Sequence, residues 1–336
     1  MPRLQAASGI VVCAASVAAL AAAHRDASHR AAAPAIVEYH IPTPGAFPHD
    51  PAVDAQGIVW YTDQANSRIG RLDTETGHFT DWPTPSPKAG PHGLLSAPDG
   101  TIWYTGNSNG TIGHLDPATG RTREFRLPAT MPDPHTPLLL GPYLWFTVQR
   151  GNVIGRLDTA TGDVRTIRVP TPRAHPYGLV SAPDGTMWVA LFGTHKLAHL
   201  VPPDGALTEV DLPEEAARPR RLVVDETGIV WYSDYGRGFL GRYDPATRQF
   251  AEWRTPTVNG APYGIAIGPD GRVWFDEVAS GSIVAFDRAT HAMESVRIPT
   301  VGSIVRNVAV DAARGRIWLA ESGVERLGRL DVPASR

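Results

Sequence analysis

The chain has one cysteine, Cys13, in 336 residues, so no intramolecular disulfide can form and stability must come from a packed core. It also lacks an excess of charge. Lysine and arginine total 31 against 34 aspartates and glutamates, a formal net charge of −3. That balance removes the electrostatic basis for binding nucleic acid or an anionic membrane surface. Beyond residue 34 no segment holds a 3.6-residue period, which excludes a helical fold. The apolar run Ile10–Ala23 is alanine-rich and short for a bilayer span, which leaves a membrane anchor as its weaker reading.

Flanking residues give that run another meaning. Arg3 places a positive charge before it, and Ala21 and Ala23 precede the polar His24-Arg25-Asp26. This order reads as a secretory signal peptide over residues 1–23, followed by a spacer over 24–34. Cys13 falls inside the signal, behind Val11-Val12 where a lipoprotein signal has small residues, so the mature chain has no thiol. Export without disulfides suits a periplasmic protein, with no membrane attachment after cleavage.

Turn residues are abundant, with 33 glycines and 31 prolines, and they punctuate a repeat. Tryptophan recurs at Trp60, Trp103, Trp145, Trp188, Trp231, Trp274 and Trp318, with spacings of 43, 42, 43, 43, 43 and 44 residues. Each copy has four short strand-like segments. Pro-Asp-Gly turns such as Ala97–Gly100 and Gly268–Gly271 join the first two, and Asp-x-x-x-Gly turns such as Asp116–Gly120 join the last two. Seven such copies predict an all-β, seven-bladed propeller of four-stranded blades over residues 35–336. The final copy stops after Leu327-Gly328-Arg329-Leu330-Asp331 and lacks an outer strand, while Ile36–Pro42 has the pattern of one with no unit before it. The N-terminal strand is therefore expected to complete the last blade, which leaves no open edge.

Two sets of positions fall at one end of the central channel. Starts of the first strands give His49, His92, His135, Tyr177, Arg220, Tyr263 and Arg306. Ends of the second strands give Asp63, Gly106, Val148, Leu191, Asp234, Glu277 and Glu321. Scaffold positions repeat from blade to blade, and this ring does not. It marks the mouth as a small-molecule site, on a chain with no sign of a partner interface and taken as a monomer. His49, His92 and His135 are the candidate catalytic bases. Tyr177, Arg220, Tyr263 and Arg306 are candidate substrate-binding residues. Asp63, Glu277 and Glu321 are the oxygen ligands suited to a hard cation such as Mg²⁺. Gly106–Gly110 and Gly236–Gly241 match a nucleophile-elbow and a dinucleotide pattern, but neither leads into a helix.

The recurring Pro-Tyr-Gly-Ile (Pro262–Ile265), Val-Trp-Phe (Val273–Phe275), Ile-Gly-Arg-Leu (Ile69–Leu72, Ile154–Leu157) and Ile-Pro-Thr-Pro (Ile41–Pro44) resemble the streptogramin B (virginiamycin B) lyase family. The resemblance spans residues 36–331. It implies a Mg²⁺-dependent carbon–oxygen lyase that opens a cyclic depsipeptide at its ester bond without water. A histidine removes the proton α to the carbonyl while the metal stabilises the enolate. In the family, the acid-x-His pair and a further glutamate come from the last blade, and a second histidine from the sixth. Here the matching positions are Ile304 and Arg306, Glu321, and Tyr263. Arginine is not a base at neutral pH. A site rotated around the pseudo-symmetric ring, using Asp133-Pro134-His135 or His92 with Asp63, is the alternative placement. Three functions stay open: a divergent metal-assisted lyase, a non-catalytic periplasmic binding propeller, and a lactonase-like hydrolase.

Overall fold

Every repeat unit forms its own four-stranded antiparallel sheet in the computed structural model, which describes residues 35–203, 207–332 and 334. The signal peptide and spacer expected over 1–34 lie outside the described residues. Blades one to six occupy 48–83, 91–126, 134–168, 176–211, 219–254 and 262–297. The seventh takes three strands from 305–331 and its outer strand from Ile36–His40. That N-terminal strand pairs antiparallel with the last strand of the chain, from Ile36 opposite Leu330 to His40 opposite Arg326. The ring is closed by sheet hydrogen bonds, as the incomplete last repeat requires. Two single-turn 3-10 helices, Ala312–Arg314 and Ser322–Val324, are the helical segments among the described residues.

The tryptophans explain why one blade cannot stand alone. Trp60 packs with Ile102, Tyr104 and Leu115 of the second blade. Trp103 packs with Leu144 and Phe146 of the third, and Trp231 with Val273 and Phe275 of the sixth. Trp318 of the last blade closes the circle on Val59, Tyr61 and Leu72 of the first. The core is thus a set of seams between blades, each built around one indole from the preceding blade. Burying an indole this way removes a large apolar area from water. Trp60, Trp231 and Trp274 also donate Nε1–H to the turn aspartates Asp54, Asp225 and Asp270 at 2.9, 3.0 and 3.0 Å.

The Ile-Gly-Arg-Leu repeat has an equally local cause. The second-strand ring of Tyr61, Tyr104, Phe146 and Tyr232 lies flat over the glycine opposite it, respectively Gly70, Gly113, Gly155 and Gly241. A Cβ at those glycines would sit 1.8–2.2 Å from ring carbons. Alanine there must displace a buried ring. Gly113→Ala is expected to lower stability by about 1–3 kcal/mol, the usual cost of overpacking. Gly100→Ala is a turn control: it is strained by positive φ but meets no atom within 4 Å. Urea unfolding of both variants checks this; equal losses would remove the packing explanation.

Candidate functional site

The first strand of each blade begins irregularly. Pairing with the second strand is regular at its first residue, as for Pro48 with Asp63, then slips before resuming at Pro51 with Tyr61. The same slip recurs in all seven blades. The residue of interest, His49 or its equivalent, lies inside this bulge, and bulges redirect side chains where a ladder would hold them to one face.

The bulges are tied to one another by hydroxyl groups. Thr62 Oγ1 accepts from the Asp50 N–H at 3.0 Å and donates to the His92 carbonyl of the next blade at 2.9 Å. Thr105 does the same between Gly93 and His135, Thr147 between Thr136 and Tyr177, and Ser233 between Arg221 and Tyr263. Only a group that donates and accepts can bridge an N–H and a carbonyl in this way. Thus four of the seven ring residues have their backbone fixed by the preceding blade. At the sixth blade the position holds Asp276, whose Oδ1 accepts from the Gly264 N–H at 2.6 Å. Its other oxygen is buried without a partner, and burial raises its pKa to about 8.

Held this way, the ring residues meet. His49 and His92 have ring centroids 3.6 Å apart, His92 and His135 3.6 Å, and His135 and Tyr177 3.8 Å. Tyr177 and Tyr263 share a short hydroxyl–hydroxyl hydrogen bond. With Phe47, Gln64, Asn107, Asp133, Gln149, Arg150, Arg220 and Arg306 they line a mouth cavity of about 460 Å³. All three candidate bases and all four candidate substrate-binding residues are therefore in one place. A larger cleft of about 650 Å³ lies over the first two blades, but it offers one charged group, Lys88, and no acid or histidine.

Beneath the cavity lies a cluster that the ring positions did not reveal. Asp50 Oδ1 is 2.9 Å from His49 Nδ1 and accepts from Arg221 at 2.7 Å, across the channel from the fifth blade. All three are buried. Their sequence signal was one residue away. The residues following the ring positions are Asp50, Gly93, Thr136, Gly178, Arg221, Gly264 and Asn307, with one acid and one base among small or neutral groups. With Nδ1 engaged by Asp50, His49 has Nε2 left to face the cavity. Burial first, then the charges of Arg221, Arg306 and Arg220, hold the His49 imidazole well below its usual pKa. Burial likewise depresses His92 and His135. The histidines are uncharged at neutral pH.

The three carboxylates assigned to a cation are elsewhere. None of them lines the mouth cavity. Asp63 accepts from the Phe47 N–H at 3.0 Å and from Asn66 Nδ2 at 2.8 Å. Glu277 accepts from Thr257 N–H and Oγ1 at 2.9 and 2.6 Å and from Ser280 at 3.1 Å. Both cap loops of their own blades. Glu321 accepts from Ser303 at 3.0 Å, and its second oxygen is buried without a partner. Burial, then the neighbouring Glu38 of the N-terminal strand, raises its pKa to about 8. The acid groups that do sit near the histidines are Asp50 and Asp133. His49, Asp50 and His92 present donor atoms within 4.8 Å of one another, which is the metal-sized cluster among the described residues. However, Asp50 Oδ1 already serves His49 and Arg221.

The sequence matches the family described as "Virginiamycin B lyase family" over residues 20–257. Among solved structures, the virginiamycin B lyase from Staphylococcus aureus aligns with a TM-score of 0.83 at 24% identity, covering 90% of this chain and 100% of that one. A streptogramin B lyase gives 0.82 at 24% identity over 89% and 97%. Hydrazine synthase of Kuenenia stuttgartiensis gives 0.75 at 14% over 87% and 97%, so at this level of identity the likeness speaks for the fold alone. No curated protein matches the chain.

Glu321 also yields a stability test. Its pKa is raised on folding, so its contribution is complete below the unfolded value of 4.5 and is lost progressively as pH rises to about 8. The stability difference between wild type and Glu321→Gln should therefore shift against the wild type between pH 5 and 8, then level off. Melting curves of the two proteins across that range check the sign; a constant difference would place an ordinary carboxylate at Glu321.

Proposed function

The chain belongs to the virginiamycin B lyase family, and from that premise we propose that it is an exported, monomeric lyase that opens an ester bond in a small cyclic substrate, with His49 as the base. The observation that carries this reading is the His49–Asp50 pair at the floor of the mouth cavity. Asp50 accepts the Nδ1–H, which fixes the tautomer and leaves the Nε2 lone pair toward the cavity. The low imidazole pKa keeps that lone pair free at neutral pH. His49 takes the proton α to a carbonyl, and the released electron pair forms a carbon–carbon double bond. The ester C–O bond breaks, and the carboxylate leaves with the bonding electrons. No water enters the products.

Mg²⁺, which the family resemblance implies, does not suit the donor set. It requires hard oxygen ligands in near-octahedral geometry. The oxygens of Asp63 and Glu277 are committed to loop hydrogen bonds, and Glu321 lies outside the mouth cavity, where burial raises its pKa to about 8. Inside the cavity the lining carboxylate, Asp133, accepts from Arg150 N–H and Nε, Asp50 below the histidines is paired with Arg221, and the histidines offer imidazole nitrogens. The family match also stops at residue 257, before the two blades to which the resemblance assigns the lyase residues. The base has moved to blade one in this reading, and a step through bound Mg²⁺ is not part of it.

Incubation with a streptogramin B antibiotic, followed by liquid chromatography and mass spectrometry, tests the reaction. The expected product is linear and unchanged in mass, and EDTA leaves its rate intact. A product heavier by one water would instead indicate a lactonase-like hydrolase, and no product would favour a non-catalytic binding propeller. His49→Gln should lower turnover by about 10²–10⁴-fold, the range for loss of a general base. Asp50→Asn should also slow it by releasing the tautomer. The wild-type rate should fall on the acid side only below the ordinary imidazole pKa, since protonation of His49 removes the base; a limb at or above that value would exclude His49.

A further inference from the structure

Several arginines elsewhere in this protein have acidic partners. Arg68 meets Asp81, Arg237 meets Asp234 and Glu252, and Arg272 meets Asp270 and Glu294. Near the cavity, Arg150 pairs with Asp133 and Arg221 with Asp50. Two arginines that line the mouth have no acidic partner among the described residues. Arg306 has no hydrogen bond or ion pair among the described residues, and its Nε is buried and unpartnered. Arg220 has a buried, unpartnered Nε and one long hydrogen bond, to the Tyr177 hydroxyl at 3.4 Å.

Both guanidinium groups are nevertheless held in place by aromatic faces. Arg220 Cζ lies 3.8 Å from the ring centre of Tyr263, 4.4 Å from Tyr235, 4.8 Å from Phe192 and 4.9 Å from Tyr177. Arg306 Cζ lies 5.6 Å from Phe47 and 5.9 Å from Tyr263. Aromatic faces attract a cation but cannot accept its in-plane N–H bonds, so the planar donor forks remain open. Both arginines are half-buried, and a cation partly withdrawn from water without a counter-ion favours an anion that can supply one. The four arginines at and below the mouth face the carboxylates Asp50 and Asp133 and the buried Asp276, whose pKa burial raises to about 8, and the nearby imidazoles are neutral.

We infer that Arg220 and Arg306 form an oxyanion subsite for a carboxylate-bearing ligand. The choice of carboxylate rests on the lyase reading, because elimination from an ester releases a carboxylate in this cavity; the subsite would receive it. Guanidinium forks match the planar carboxylate with two parallel N–H bonds.

Calorimetric titration of the full chain with phenylacetate, its uncharged counterpart phenylacetamide, and inorganic phosphate tests the subsite. Phenylacetate should bind at least tenfold more tightly than phenylacetamide, and added salt should weaken it. Arg306→Gln and Arg220→Gln should each lose at least tenfold, whereas His49→Gln should retain binding. If Arg220→Gln does not fold, having lost the cation its four rings enclose, Arg306→Gln decides the matter. Equal binding of acid and amide, or an unaffected Arg306→Gln, would overturn the subsite. Tighter binding of phosphate would overturn the carboxylate assignment. Phenylacetate binding without ester elimination would remove the lyase reading and leave the anion subsite standing; elimination with flat titrations would do the reverse.

Discussion

Every blade depends on its successor, because its tryptophan is buried in the next blade's hydrophobic seam. Seven such contacts make a closed cycle, with Trp318 returning to Val59, Tyr61 and Leu72 of the first blade. The cycle explains why the spacing of the indoles barely varies. Each indole sits mid-strand, where ladder pairing sets its place, whereas changes at the strand starts alter nothing in the seams. The scaffold is therefore held from the middle of each blade, and its inner mouth is free to differ from blade to blade.

Much of the fold was legible for that reason. Seams and turns obey rules that act within one unit, so tryptophan spacing, Asp-Gly turns and an orphan outer strand were enough to predict the ring and its closure. Convergence of His49, His92 and His135 was not legible, because it depends on bulges and on hydroxyl bridges between blades. Thr62, Thr105, Thr147 and Ser233 look like ordinary strand residues until their partners thirty residues later are known. Asp63 and Glu277 were read as cation ligands because they end strands at the mouth. Their blades needed acceptors for loop N–H groups, a local demand that competes directly with any ligand. Asp50 and Arg221 escaped notice since neither belongs to the ring set, and nothing in sequence pairs residues 171 positions apart.

Burial then sets the chemistry of what converged. Closely packed imidazoles withdrawn from water cannot easily be cationic, and nearby arginines strengthen the effect. The result is a base-rich, acid-poor cavity whose positive charge is permanent. A divalent cation would add charge to a region already in excess of it. Arginine delivers the same sign without oxygen ligands, and its fork adds direction that a small hydrated ion lacks.

Pseudo-symmetry makes such an exchange structurally inexpensive. Each ring position is the same bulge in a different blade, so a base carried by one first strand can be replaced by a base on another without disturbing a seam. The blades that the family resemblance marks for chemistry here hold Tyr263 and Arg306. The histidines occupy three consecutive bulges on the opposite run of the chain, with Asp50 beneath the first. In the lyase reading the base sits on blade one, which packs against the last blade, and the mouth cavity is retained. The Asp50–Arg221 pair spans the channel from blade one to blade five, so it links the base to the arginine side. Removing Arg221 would strand the buried Asp50 charge, and removing Asp50 would strand Arg221 and free the His49 ring, which couples the integrity of the channel floor to the orientation of the base.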